Sequence, residues 1–190
     1  MAEIAQKREM NVEKKSGLQV TDLVLAAVLI AAGAVLKLFV GVLFQGGVKP
    51  NFIIAAYCLA LLLIKPKSYA QGAAFGAIIG LITGAVCQIP LLCGTPFVNF
   101  ASELAGGIVI GLIAAIPAQG KGGMAAASIG TFVATFISGG LFSAIVVVIK
   151  SMNVYAGLVQ YAPIVVITAL LNAIIVAILL VPLKKALHKD

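Results

Sequence analysis

The sequence predicts an all-α integral membrane protein, a bundle of six transmembrane helices with both termini cytoplasmic. Three observations carry that prediction. First, 62% of the residues are hydrophobic, only 10% are charged and the mean hydropathy is +1.17, whereas a soluble domain is ~45–50% apolar and ~25% charged. Second, the apolar residues fall into runs of span length separated by Pro, Gly and Lys. A hydrocarbon core of ~30 Å asks for ~20 such residues per helix, so the 190 residues are consumed by the spans and leave no room for a soluble domain. Third, the basic residues flank the apolar runs and form no continuous stripe, a pattern that reports orientation.

Taken in order, the first span is expected over about residues 23–44, with Asp22 after Thr21 as its N-cap. The second, about 52–64, is bounded by Lys49-Pro50-Asn51 and Lys65-Pro66-Lys67 and is short for a crossing. The third covers about 69–86, and the fourth about 98–116, ending before Pro117. The fifth covers about 124–149 and the sixth about 158–183. The chain divides into a cytoplasmic tail (1–21), one helical domain (22–184) and a short C-terminal tail (185–190), without repeats, linkers or low-complexity tracts. The first apolar stretch is long and lacks an A-x-A cleavage site, so it reads as a retained helix.

An even number of spans puts both termini on one side. Lys7, Arg8, Lys14, Lys15, Lys65, Lys67, Lys121, Lys184, Lys185 and Lys189 then share that side, against Lys49 and Lys150 opposite. The positive-inside rule makes the basic side cytoplasmic. Lys37 falls within the first span, near enough to its outer end to snorkel. The outer loops are then about 45–51, 87–97 and 150–157.

Composition also removes most enzymes. Of six carboxylates, Glu3, Glu9, Glu13 and Asp190 lie in the tails and Asp22 at the mouth of the first span, leaving Glu103 alone within the hydrophobic body. His188 is the single histidine. An acid/base pair or a metal cluster needs at least two converging groups, so no catalytic or metal site is expected, and no cofactor. The Gly120-Lys121-Gly122-Gly123 turn lacks the glycine spacing and the Ser/Thr of a P-loop. No nucleic-acid partner is expected from a +7 charge spent on topology. Cys58, Cys87 and Cys93 contain no CxxC pair, and spacing leaves a Cys87–Cys93 bridge open.

Four features remain that could carry function. Gly72, Gly76, Gly80 and Gly84 lie on one face of the third span, with Gly107 and Gly111 repeating the pattern in the fourth; such faces let backbones approach, and packing inside the bundle is the expected use. Ala27 and Ala31 form a small-residue face on the first span, an internal seam or a docking surface, and spacing alone favours the seam. Glu103, one turn after Asn99, is an ionisable group in a span, which marks a functional site or a buried pair; its candidate partners are Lys37, Lys49 and a ligand cation. Finally, Phe44, Phe52, Phe97, Phe100, Tyr155 and Tyr161 gather at the outer ends with Gln88, Asn153 and Gln160, as an aromatic belt or a stacking pocket. Asn172, mid-span, is expected to bond between helices.

Several stretches resemble a known group. Gly47-Val48-Lys49-Pro50-Asn51, the glycine-rich third span up to Thr83-Gly84-Ala85, Ile129-Gly130-Thr131 with Ser138-Gly139, Ala162-Pro163 and Leu171-Asn172 are similar to the substrate-binding S components of energy-coupling factor (ECF) importers. Within them the chain looks most like the small bacterial tryptophan-transport family, and Asn51 stands where that family usually carries an Asp. The resemblance covers most of residues 20–187. It implies a multi-pass protein of the bacterial cell membrane that binds a vitamin- or amino-acid-sized solute near the outer face. It also implies docking through Ala27 and Ala31 to a transmembrane coupling subunit carried by two ATPases. The expected binding residues are Lys49, Asn51, Asn99 and Glu103, with Phe97, Phe100, Tyr155 or Tyr161 stacking on the solute. For an amino acid, Lys49 would face the carboxylate and Glu103 the ammonium. A partner-independent transporter and a membrane assembly protein without a small ligand are the alternatives.

Overall fold

The computed structural model describes residues 18–43, 49–89, 92, 97–116 and 120–188. The basic N-terminal tail, Phe44, Gly47, Val48, Cys93, Lys189 and the Lys121 side chain lie outside the described residues. Those residues form six helices: α1 (Val20–Leu43), α2 (Ile53–Ile64), α3 (Tyr69–Val86), α4 (Val98–Ala114), α5 (Gly120–Ile149) and α6 (Val154–Ala186). α1, α3, α5 and α6 are long and apolar enough to cross a membrane, while α2 and α4 are shorter apolar helices. Among the described residues there is no strand.

The surface is that of a membrane protein. Val24, Val28, Val35 and Phe39 of α1, Ile129 and Phe136 of α5, and Ile167, Leu170, Ile174 and Ile178 of α6 all face outward. A soluble protein of this size seldom exposes apolar area so continuously. With no hydrophobic force between helices in lipid, close packing and interhelical hydrogen bonds must hold the bundle together.

α2 is the axis of that packing. Ten of its twelve residues are buried, and it packs against every other helix. At ~18 Å it is shorter than a membrane's hydrocarbon core, and non-helical chain leads into it at residues 49–52. Lys65 closes it in the left-handed conformation, donating its N–H to the Leu61 carbonyl before Pro66.

The glycine face of α3 is used inside the bundle. A Cβ on Gly72 would strike the carbonyl of Gly111, one on Gly76 that of Gly107, and one on Gly80 that of Glu103, while Gly84 lies against Phe100. Each step up α3 meets a step down α4, so the two helices run antiparallel with backbones touching. The seam therefore fixes the depth and rotation of α4 at the level of Glu103.

Two end-of-helix expectations change. Asp22 is not the N-cap of α1; it lies in the first turn and its Oδ2 accepts from Gln19 N–H at 3.3 Å, the backward reach of a capping box. The internal seam of α1 is formed by Ala26, Ile30, Gly33 and Lys37, which are buried, whereas Ala27 and Ala31 are exposed. The difference is one residue of phase, about 100° around the helix, which small-residue spacing alone does not resolve.

Candidate functional site

Glu103 is the centre of the polar interior. It is 1% exposed on the inward face of α4, braced behind by Gly80. Its Oε1 accepts from Asn51 Nδ2 at 2.5 Å. Asn51 belongs to the non-helical chain leading into α2, and its main-chain carbonyl in turn accepts from Asn172 Nδ2 of α6 at 3.0 Å. Asn172 also donates to Thr135 Oγ1 of α5 at 3.3 Å. One connected network thus joins α4, the entry to α2, α6 and α5.

The network is rich in acceptors it does not satisfy. Glu103 Oε2, Asn51 Oδ1, Asn172 Oδ1 and the Tyr57 hydroxyl are buried with no hydrogen-bond partner among the described residues. The Tyr57 hydroxyl faces Glu103 and Ser138 and occupies the space a Cβ on Gly106 would need. Buried polar groups are almost always paired, and a cluster of orphans costs ~1–3 kcal/mol for each group left so. Three of the four are pure acceptors. The fourth, the Tyr57 hydroxyl beside the Glu103 carboxylate, can donate as well as accept.

The other expected residues distribute unevenly around this centre. Asn99 is buried one turn from Glu103 on the same face, and its carbonyl accepts from Ser102 Oγ at 3.3 Å. Phe100 is half-buried against Gly84. Lys49 is exposed, with its alkyl chain laid along Gly41 of α1.

The aromatic residues among those described take separate positions. Phe97 is 75% and Tyr155 77% exposed, while Tyr161 is buried in a separate cluster with Val98 and Val146. Tyr161 also lines an apolar cavity of about 260 Å³ between α5 and α6, with Phe136, Gly140, Val147 and Gly157.

Gln88 and Asn153 are local staples at helix ends. Gln88 accepts from Phe97 N–H at 2.9 Å and donates to the Gly84 carbonyl at 2.8 Å, joining the end of α3 to the start of α4. Asn153 caps α6, accepting from Tyr155 N–H at 2.9 Å.

Sequence reasoning missed Tyr57, Thr135 and Ser138 and undervalued Lys37. A signal was present on α5: Thr131, Thr135 and Ser138 recur at helical spacing and are all buried. Thr131 is satisfied by the Ala127 carbonyl at 2.8 Å, the usual refuge of a hydroxyl in an apolar helix, whereas Thr135 serves the network. For a metal, no three His, Cys, Asp or Glu side chains gather among the described residues. No family model, no curated protein and no solved structure matches this chain.

Proposed function

We propose that this protein is a solute-binding S component of an ECF-type importer, which captures a small solute at Glu103 and delivers it inward when docked to an ATP-driven coupling module. The observation that carries the reading is the Glu103 carboxylate: one oxygen is held by Asn51 and the other is buried without a hydrogen-bond partner among the described residues, as are three more polar atoms. An ionisable group in an apolar bundle is expensive and marks function by default. An acceptor cluster of this composition suits an ammonium or another multiple N–H donor on the solute.

The reading takes all six helices as membrane-embedded and both termini as cytoplasmic, so that Asn51, Asn99 and Glu103 approach the outer side. It assigns the exposed Ala27–Ala31 face to the coupling subunit. The chain carries no P-loop of its own, so the energy for uphill movement comes from that partner.

The test is a thermal-stability screen of the purified protein against amino acids, B vitamins and their precursors. A solute binding only the folded state raises stability by ~4 kcal/mol at a thousandfold excess over Kd. The expected result is a shift with one solute class that disappears in Glu103→Gln. A bound solute indifferent to Glu103→Gln would remove the site assignment. Transport by this chain alone in liposomes, without ATP, would replace the S-component reading with a partner-independent transporter.

A further inference from the structure

Lys37 is not a snorkelling lysine. On a helix whose neighbouring side chains are open, with Leu36 at 39%, Leu38 at 37% and Phe39 at 72% exposure, Lys37 is only 6% exposed. It points into the bundle. Along the same face of α1, one turn below, Gly33 rests on Phe52, Ile53 and Ala56; one turn above, Gly41 rests on Lys49. Lys37 therefore faces the segment from Lys49 to Phe52, which contains Asn51.

Its ammonium has three donors, and it donates to the Cys87 sulfur at 3.9 Å, a weak acceptor. The Glu103 carboxylate lies across Asn51, which holds its Oε1, and its Oε2 has no hydrogen-bond partner among the described residues, so Lys37 and Glu103 do not close a pair. A buried cation and a buried anion lie in one polar interior, held apart. That arrangement is costly as a structural device, because an unclosed pair leaves both charges poorly compensated. It is well suited to a molecule that reaches from one charge to the other.

We propose that Lys37, and not Lys49, receives the anionic end of the solute, and that this anion is a carboxylate. The inference rests on the solute-binding reading above and adds to it a residue and a chemical class. A single buried lysine matches one monoanionic group; a phosphate, nearly a dianion, is commonly met by several donors or by an Arg fork. The solute then carries a carboxylate toward α1 and N–H donors toward Glu103, Asn51 and Asn172.

The experiment uses the full-length protein in detergent, with sodium acetate as the carboxylate probe and sodium chloride at equal ionic strength as control. Melting is followed in wild type, Lys37→Met, Lys37→Gln, Lys49→Gln and, as a control for lost surface charge, Lys150→Gln. The expected result is a saturable acetate-dependent rise in melting temperature in wild type, absent with chloride. The apparent acetate Kd should rise more than tenfold in both Lys37 variants, with Lys150→Gln behaving as wild type. The proposal is overturned if acetate acts no differently from chloride, if its effect survives both Lys37 substitutions, or if it is lost in Lys49→Gln alone. The solute-binding reading fails separately, through a panel solute whose affinity ignores Glu103→Gln. A panel solute that needs Glu103 but binds equally well without its carboxylate leaves that reading standing and overturns this one.

Discussion

Gly80→Ala and Gly140→Ala make the same chemical change in the interior of a helix, with opposite expected outcomes. In both, replacing glycine removes backbone freedom and adds helix propensity, a gain of ~1 kcal/mol. At Gly140 nothing lies within 4 Å of the new methyl, so that gain stands alone. At Gly80 the methyl meets the Glu103 carbonyl, with the Glu103 carbonyl carbon and the Leu104 Cα both at 3.0 Å. All three are backbone atoms, so no rotamer change relieves the clash and α3 must part from α4. Overpacking of this kind costs ~1–3 kcal/mol. Because the propensity gain cancels between the two variants, that term is the whole expected difference between them. For a chain of this size 1 kcal/mol moves Tm by ~2–4 °C, so the two variants should melt about 2–12 °C apart. The protein has no tryptophan, but Cys58 and Cys87 are buried, so a thiol-reactive dye reports unfolding. If Gly80→Ala melts with Gly140→Ala, the α3–α4 backbone contact does not exist as described, and with it goes the brace behind Glu103.

Two further perturbations test the network and the turn that leads into α4. Asn172→Ala removes both amide bonds and leaves the Asn51 carbonyl without its donor, and about 1–2 kcal/mol of stability should be lost; dye-monitored melting checks it, and a neutral outcome would mean that Asn172 does not join α6 to the α2 entry. Phe97 holds φ at 70°, where a side chain costs ~1–2 kcal/mol and glycine costs little. Since the ring is mostly exposed, Phe97→Gly should leave Tm unchanged or raise it by a few degrees, and a clear fall would show that the ring has a packing role the structure does not record.

The helices were legible because their boundaries are chemical. Lys65, Pro66 and Lys67 before α3 and Lys150, Ser151 and Asn153 before α6 interrupt hydropathy sharply, and the α3 limits agree with the expected ones residue for residue. Which face turns inward was harder to read. α1 is apolar all round except at Lys37, which read as a snorkelling lysine rather than as a mark of the inner face, and the Ala27–Ala31 spacing favoured the wrong stripe. Glu103 and Asn51 stood out because a carboxylate and an amide are rare in such a sequence. Their partners did not: Tyr57 is one aromatic in a buried run, and Thr135 looks like the threonines that bond their own helix. The directions of the aromatic rings were illegible for a related reason. Position near a membrane end says that a ring lies at an interface, and nothing about which way it points.

The short α2 connects the architecture to the site. The main chain leading into α2 is non-helical, and protein groups meet the polar atoms that the missing helical ladder would have paired. Pro50 is buried and has no N–H to satisfy. The Asn51 carbonyl, which a longer α2 would have paired within the helix, is paired by Asn172 instead. The Asn51 side chain then turns toward Glu103, and Lys37 faces the same stretch from α1. A full-length second span would have closed these groups inside its own ladder. Ending the helix at Ile53 frees a carbonyl and an amide among neighbouring helices, while the glycine seam holds Glu103 opposite them. The two features that hydropathy reads as a weak span and a packing motif are therefore what bring the polar groups of this protein together.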